Sequence, residues 1–266
     1  MYPFNYHRPM TVRQAVGLLN KNEDAKLLAG GHTLLPTMKL RLASPAHLID
    51  LSNIEGLSGI ELKGRSIVIG AMTRHAEVAT AKVVRENLPA LADLASMIGD
   101  PAVRNRGTVG GSIANNDPAA DYPAGCLGLG ATIVTSKRRI KADDFFKGLF
   151  ETALEPDEII TKVTFPLAKK AAYEKFRNQA SRYALVGVFV SKRGPEIRVA
   201  VTGAGSNGVF RATAFEEALK KRFAPKSLEG LTVSADSLNG DIHGSAEYRA
   251  HLIGVLAGRA VAKATA

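Results

Sequence analysis

The stretch Ala29-Gly30-Gly31-His32-Thr33-Leu34 ends a short apolar run, residues 25–29, that predicts a β-strand. Paired glycines directly after a strand let the backbone approach a ligand closely and adopt positive φ, so that successive N–H groups converge. Such a nest of amides binds anions, including phosphate oxygens, and Thr33 adds a hydroxyl donor. A plain tight turn is the alternative interpretation of this motif taken alone.

A second glycine pair lies in residues 106–121, which read Arg-Gly-Thr-Val-Gly-Gly-Ser-Ile-Ala-Asn-Asn-Asp-Pro-Ala-Ala-Asp. This stretch repeats the pattern of two glycines and a hydroxyl, and then adds amides and two carboxylates. A dinucleotide needs this mixture, because N–H groups and hydroxyls meet the pyrophosphate while amides and carboxylates bond sugar hydroxyls. The alternative is a structural loop held by Asx-turns. The two stretches together are more informative than either one.

The residues around the first glycine pair predict a small α/β unit over residues 1–55. Thr11 and Gln14 form a Thr-x-x-Gln capping pattern, and apolar residues then recur at helical spacing. Strands are expected at residues 25–29 and 48–51. The first glycine pair would therefore connect a strand to the next element of this unit.

The middle of the chain predicts a larger mixed unit around the second glycine pair. Residues 66–70 predict a strand, and residues 74–98 predict a helix that Pro89 interrupts near its middle. Residues 99–123 are rich in Gly, Asn, Asp and Pro, so a long loop is expected there. Strands are expected at 131–136 and 158–165, and a domain boundary at 166–172.

The last third predicts a hairpin and two helices. The hairpin strands are residues 184–191 and 196–202, turned at 193–195, and the helices are 212–223 and 246–262 with Ser245 as the cap of the second. Between them, residues 203–208 match the G-x-G-x-x-G fingerprint of NAD-binding domains. That interpretation is disfavoured because no helix opens within the fingerprint and no second parallel strand follows. A connecting loop is expected instead.

Composition narrows the classes of function. At roughly 150 residues per domain, the 266 residues suggest about two domains, or one large domain with subdomains. The net charge is +10, but the basic clusters are short, separated and poor in aromatics, so a solvated surface meeting acidic partner subunits is favoured over nucleic-acid binding. The one cysteine, Cys126, excludes a disulfide framework or an all-cysteine cluster in this chain and fits a cytoplasmic location. Neither a signal peptide nor a transmembrane segment is expected.

Residues 26–36 and 108–115 together resemble the paired FAD motifs of the medium subunit of the molybdenum hydroxylases. This family includes aerobic carbon monoxide dehydrogenase and the flavin domain of xanthine dehydrogenase. The resemblance continues in order through Asp117-Pro118-Ala119-Ala120-Asp121, Tyr173-Glu174-Lys175-Phe176, Phe210-Arg211-Ala212-Thr213 and Ala246-Glu247-Tyr248-Arg249-Ala250-His251-Leu252. It therefore covers essentially the whole chain.

The resemblance implies an α+β fold. A two-subdomain FAD-binding domain would occupy residues 1–168, with a small α/β unit over about 1–55 and a larger mixed sheet-and-helix subdomain over 56–168. A small C-terminal domain of antiparallel strands and helices would occupy 169–266.

The resemblance also assigns the residues that contact a non-covalently bound FAD. From the two motifs these are Lys26, Leu27, Leu28, Ala29, Gly30, Gly31, His32, Thr33, Leu34, Thr108, Gly110, Gly111, Ser112 and Asn115. Asp121 would bond the ribose or ribitol, Ile160 would pack near the flavin or adenine, and Lys175 would approach the isoalloxazine. For His32, lining the flavin and capping its own loop both stay open. No catalytic side chain and no metal ligand is expected in this chain.

In this family, substrate is oxidised at a molybdenum cofactor on a large subunit, and electrons pass through [2Fe-2S] clusters on a small subunit to FAD. The resemblance thus implies an electron-transfer subunit in a dimer of heterotrimers, most similar to the carbon monoxide dehydrogenase medium subunit. Two alternatives stay open. One is a self-sufficient flavin-dependent oxidoreductase with its own substrate pocket and base, and the other is a flavin-free scaffold subunit.

Overall fold

The computed structural model describes residues 1–266, and the chain forms three successive units, each built around its own sheet. In the first unit, the strands pair in parallel in the order β1-β3-β2. Its elements are β1 (Asn5–His7), α1 (Val12–Lys21), β2 (Ala25–Leu28), α2 (Leu34–Lys39) and β3 (His47–Asp50). This agrees with the predicted small α/β unit.

Thr11 caps α1 as predicted, since its hydroxyl accepts a hydrogen bond from the Gln14 amide at 3.2 Å. The capping box is not reciprocal, because the Gln14 side chain accepts from the Met10 amide instead of the Thr11 amide. The helix therefore starts where the sequence indicates, with its second cap bond moved back by one residue.

The second unit contains a five-stranded antiparallel sheet in the order β4-β5-β10-β6-β7, covered by short helices. In chain order its elements are β4 (Ile60–Lys63), β5 (Ser66–Gly70), α3 (His75–Thr80), α4 (Lys82–Asn87), α5 (Pro89–Ser96), α6 (Pro101–Arg104), α7 (Val109–Asn115), α8 (Tyr122–Leu129), β6 (Thr132–Thr135), β7 (Arg139–Lys141), α9 (Ala142–Phe145), β8 (Phe146–Gly148), β9 (Glu151–Thr152) and β10 (Ile160–Pro166).

Two sequence predictions for this unit are wrong. Residues 74–98 form three helices, α3 to α5, instead of one interrupted helix, and Pro89 opens α5 at a first-turn position that proline favours. Residues 99–123 are not one long loop, because they contain α6, α7 and the start of α8, joined by turns. Their Asp and Thr residues serve as helix caps: Asp100 accepts from the Val103 amide and Thr108 from the Gly111 amide. The loop-like composition of residues 99–123 therefore reflects several closely spaced helix ends, where the same residue types serve as caps.

The third unit is a four-stranded antiparallel sheet in the order β11-β12-β13-β14 with two helices. Its elements are β11 (Lys170–Arg177), β12 (Ala184–Arg193), β13 (Glu196–Thr202), β14 (Phe210–Arg211), α10 (Thr213–Lys221) and α11 (Ala246–Thr265). The predicted hairpin is confirmed, with Arg193 opposite Glu196, and Ser245 caps α11 through the Tyr248 amide. The sequence did not indicate β11, because Lys, Ala and Glu are depleted in strands.

The third sheet is buried on both faces. On one face, Tyr173, Phe189 and Ala200 join the core of the second unit, and on the other face the sheet packs against α10 and α11. Every residue of α8 is buried in this arrangement. Since a shared core joins the second and third units, the last sheet is positioned firmly against the residues that lead into α8. None of the helices combines the length and apolar character needed to cross a bilayer.

Candidate functional site

A cleft of about 670 Å³ runs between the first two units and is reached by one loop of the third. Its volume lies within the range of small-molecule and cofactor sites. The first unit contributes β2 and the loop after it. The second unit contributes the residues around α7 and the segment that connects β9 to β10. The third unit contributes Ser181, Arg182 and Tyr183 from the loop between β11 and β12.

The backbones of the two glycine stretches touch at Gly30. A Cβ atom at this position would lie 2.1 Å from the Arg106 carbonyl oxygen, so a larger residue would force the two units apart. The next residue, Gly31, has φ +76°, a conformation that glycine adopts without strain. The first pair therefore makes both the contact and the turn that shape the cleft.

The second glycine pair opens α7 and serves packing and space. A Cβ at Gly110 would lie 2.6 Å from the Ala71 side chain, so Gly110 brings α7 against the end of β5. Gly111 lines the cleft, and a Cβ there would lie 2.9 Å from the Thr108 hydroxyl and 3.4 Å from Ala29. A side chain at Gly110 would therefore push α7 away from Ala71, and one at Gly111 would fill space between the two motifs.

The first motif carries a run of successive free backbone donors. The amides of Gly30, Gly31, His32 and Thr33 donate no hydrogen bond within the protein. In the second motif, the amides of Val109, Gly110 and Gly111 donate to Thr73, Ala71 and Thr108. The expectation that amides of both stretches face a pyrophosphate stays a prediction, and in the second stretch the Thr108 amide, which donates no bond within the protein, is the one placed to do so. The first motif supplies consecutive free N–H groups, while the second supplies mainly room and polar side chains such as Ser112 and Asn115.

Of the residues that the resemblance assigns to FAD, all but Leu28 and Lys175 line this cleft. Leu28 packs behind the first loop, with its Cδ1 atom 3.3 Å from the position of a Cβ at Gly31. Lys175 is buried behind the wall, where its ammonium lies 2.9 Å from Asp121 and 3.2 Å from the Met97 carbonyl oxygen. The structure brings the two motifs, Asp121 and Ile160 together and places Lys175 one layer further back.

Asp121 is a buried carboxylate in the cleft wall. Its Oδ1 accepts a hydrogen bond from the Tyr173 hydroxyl and its Oδ2 accepts one from the Lys175 ammonium. Burial raises the pKa of Asp121, and the charge of Lys175 opposes that rise. Both partners belong to β11, so the third unit holds this residue.

His75 is a cleft residue that sequence reasoning missed. It is 4% exposed, its ring centroid lies 5.3 Å from that of Tyr122, and its Nδ1 has no partner. Burial lowers its pKa to about 4, and the neighbouring His32 adds to that effect. The imidazole is therefore neutral at pH 7. A lone histidine at the start of a helix carries no sequence signal for this position.

The wall opposite the glycine loops includes Glu158, which the sequence also did not identify. Arg138 donates two hydrogen bonds to its carboxylate and lowers its pKa to about 2. The Thr135 hydroxyl and the Glu155 amide also donate to it. Glu158 is therefore an ionised, fully engaged group that fixes the chain leading into β10.

The loop that the third unit extends to the cleft is preorganised by Asn178. The Asn178 side-chain oxygen accepts hydrogen bonds from the amides of Ala180 and Ser181, and Arg182 has φ +62°. Burial raises the pKa of Tyr183 at the end of this loop. Nothing in the sequence pattern distinguishes these residues from an ordinary hairpin turn.

No cluster of three His, Cys, Asp or Glu side chains stands close enough to hold a metal ion. Cys126 is buried in α8, and burial raises the pKa of its thiol. The arrangement as a whole offers free amides, hydroxyls and a narrow glycine-lined passage, which suit an extended phosphate-containing cofactor.

Two family models match nearly the whole chain. The model described as "FAD binding domain in molybdopterin dehydrogenase" matches residues 2–168, and "CO dehydrogenase flavoprotein C-terminal domain" matches residues 171–264. Similar curated proteins include the carbon monoxide dehydrogenase medium chain of Hydrogenophaga pseudoflava, 38% identical over 97% of this chain and 96% of that one. The nicotine 6-hydroxylase medium subunit of Paenarthrobacter nicotinovorans is 37% identical over 98% and 97%.

The fold comparison agrees with the sequence comparison. A solved carbon monoxide dehydrogenase from Hydrogenophaga pseudoflava, which lacks the Mo-pyranopterin moiety of its cofactor, contains a chain that superposes with a TM-score of 0.89 at 38% identity. The match covers 100% of this chain and 99% of that one. The mixed α+β architecture is thus shared over the full length of both chains.

Proposed function

This chain belongs to the family of FAD-binding medium subunits of the molybdenum hydroxylases, and we propose that it passes electrons from iron–sulfur clusters of a small subunit through FAD to an external acceptor. The observation that carries this proposal is the convergence of the two glycine motifs in one cleft. The chain is accordingly an FAD-dependent oxidoreductase subunit, and substrate oxidation is assigned to a separate molybdenum subunit.

The residues of the cleft fit FAD. The free amides of residues 30–33 would meet the pyrophosphate, and Ser112 and Asn115 would bond its polar groups from the opposite side. Gly111 would leave the space for the cofactor between the motifs. Asp121 would bond the ribose or ribitol, and Ile160 would offer an apolar surface to a ring.

Bound FAD supplies the redox chemistry, since a flavin accepts and releases electrons singly or in pairs. The residues of this chain then need to bind and orient the cofactor and to limit water around it. The Lys175 ammonium lies behind the cleft wall and pairs with the Asp121 carboxylate in the wall, so the charges of the two groups offset each other there. The neutral His75 likewise adds no charge at pH 7.

The partners we propose are a large molybdenum-cofactor subunit and a small [2Fe-2S] subunit, assembled as a dimer of heterotrimers in the cytoplasm. Support comes from the relatives, which are named medium chains or medium subunits. Their names refer to carbon monoxide and to nicotine at nearly equal identity, so the similarity does not select a substrate. The type of subunit we propose is that of the carbon monoxide dehydrogenase medium chain.

The relay is tested by comparing two complexes that carry the same substitution at different glycines. Gly111→Trp fills the cleft, whereas Gly258→Trp lies on α11 where a Cβ meets open space. Each complex is reduced with dithionite and mixed with oxygen, NAD⁺ or a quinone, while the cluster signal is followed by electron paramagnetic resonance. We expect at least one acceptor to reoxidise the clusters much faster in Gly258→Trp than in Gly111→Trp.

Equal reoxidation of the clusters in both complexes, with flavin lost from Gly111→Trp, would contradict the relay and favour a scaffold role. Substrate oxidation by the flavin-loaded chain without its partners would instead indicate a self-sufficient oxidoreductase.

A further inference from the structure

The third unit is hydrogen-bonded to residues 117–121 on the side of this segment that faces away from the cleft. Asp117, Ala120 and Asp121 of this segment line the cleft, while its backbone carbonyls turn away towards the end of β13. There the Thr202 hydroxyl lies 2.7 Å from the Ala120 oxygen and 3.1 Å from the Pro118 oxygen. One hydroxyl therefore spans two carbonyls of a segment whose other side faces the site.

A second bond from the next residue fixes the same segment. The Gly203 amide donates to the Pro118 oxygen at 2.9 Å. Gly203 has φ +84°, and a Cβ there would lie 2.4 Å from the Ala184 carbonyl oxygen, so glycine is needed to turn the amide towards Pro118. Gly203, the first glycine of the G-x-G-x-x-G match at residues 203–208, thus begins a turn whose amide is hydrogen-bonded to the wall of a different site.

Gly203 is in turn hydrogen-bonded to α11. The buried Arg249 guanidinium donates to the Gly203 oxygen at 2.9 Å and to the Leu185 oxygen at 2.7 Å. Thr202 is fully buried. The bonds to residues 117–121 therefore come from the end of a buried strand that is itself hydrogen-bonded to α11.

We propose that Thr202 is a positioning residue for FAD: its hydroxyl, together with the Gly203 amide, holds residues 117–121 in the shape that the cofactor meets. This inference rests on the proposed function, because it concerns the same cleft. A site keeps its geometry when the residues behind it are fixed by hydrogen bonds and packing. Thr202 never reaches the cleft and acts through the segment alone.

The test replaces the hydroxyl while keeping the shape of the side chain. Thr202→Val removes the donor, and Thr202→Ser keeps it. Affinity is measured by titrating FAD into the flavin-depleted complex and following the visible absorbance and circular dichroism of the flavin. We expect Thr202→Val to weaken FAD binding about three- to tenfold, the effect of losing one hydrogen bond, and to alter the flavin dichroism. Thr202→Ser should restore both.

Ser191→Ala is the matched control. Like Thr202, Ser191 lies in the third sheet and its hydroxyl donates to a carbonyl of the second unit, the Gly128 oxygen at 2.6 Å. Gly128, however, does not line the cleft. A purely structural role for such bonds would lower thermal stability in both variants without changing FAD affinity. The positioning role predicts a change of affinity and dichroism in Thr202→Val and not in Ser191→Ala.

Wild-type affinity and dichroism in Thr202→Val, or an equal loss in Ser191→Ala, would overturn the inference. Hydrogen exchange in the wild-type complex covers the case in which Thr202→Val does not fold. Exchange at the Gly203 amide should slow when FAD binds, although Gly203 does not line the cleft, and an unchanged rate would also overturn it. Failure of the wild-type complex to bind FAD would instead refute the proposed function.

Discussion

Gly30 and Gly111 both lack a side chain at the cleft, but for different steric reasons that the sequence alone does not distinguish. A Cβ at Gly30 would collide with the Arg106 carbonyl oxygen, whereas one at Gly111 would meet the Thr108 hydroxyl and fill the cleft. The sequence did indicate that both pairs approach one ligand. It did not indicate which amides are free, because the acceptors for the Val109 and Gly110 amides are Thr73 and Ala71, which are distant along the chain.

At the residue scale, His75 should make the chain sensitive to acid. The histidine has a pKa near 6.5 when unfolded and about 4 in the folded chain, so the unfolded state binds more protons between these values. The free energy of unfolding should therefore fall as the pH drops from about 6.5 towards 4, by up to about 3 kcal/mol for this group.

The measurement is urea-induced unfolding of the wild type and of His75→Phe at pH 7 and pH 5. Phenylalanine fills a similar volume and does not titrate, so His75→Phe should lose less stability between the two values. The same loss in both proteins would show that His75 is not the buried, neutral group described above.

At the element scale, the structure explains why residues 99–123 misled the sequence analysis. Asp100, Pro101 and Thr108 favour turns in a pattern-based interpretation, yet each stands at the start of a helix, and Gly110 lies inside α7 to let it pack on Ala71. Long elements with regular patterns, such as α11 and the β12–β13 hairpin, were predictable. The short helices α6, α7 and α8 were not, because one or two turns are too few for an apolar repeat to stand out from the sequence.

Thr108 should be needed for α7 and, through it, for the cleft. Its hydroxyl accepts from the Gly111 amide at 3.1 Å, and it is buried. Thr108→Ala should lower the free energy of unfolding by about 1 kcal/mol, the usual effect of losing such a cap, and should weaken FAD binding as well. Thr108→Ser keeps the acceptor and should behave like the wild type in both assays.

Chemical denaturation measures the first effect and FAD titration into the flavin-depleted complex measures the second. If Thr108→Ala and Thr108→Ser were equally stable and bound FAD equally well, the cap would have no part in shaping the second motif.

At the scale of the whole molecule, the cleft joins all three units. The resemblance implied the α+β class, the FAD-binding region and the C-terminal antiparallel unit, and the comparisons confirm that class. The contacts behind the cleft could not be predicted from the sequence. Tyr173, Lys175 and Thr202 contact residues 117–121 through the packing of the third sheet on α8, which the sequence pattern does not reveal. Division into residues 1–168 and 169–266 stays a prediction, and the shared core shows that the two parts are firmly packed.

The most direct test of the account is the flavin content of the purified complex, measured by visible absorbance per medium chain. Wild type and Gly258→Trp should each hold one FAD, or regain it when FAD is added. Gly111→Trp should assemble with the same partners and hold none, because its side chain fills the space between the two motifs. Full flavin content in Gly111→Trp, or a wild-type complex that stays colourless with added FAD, would contradict the assignment of this cleft to the cofactor.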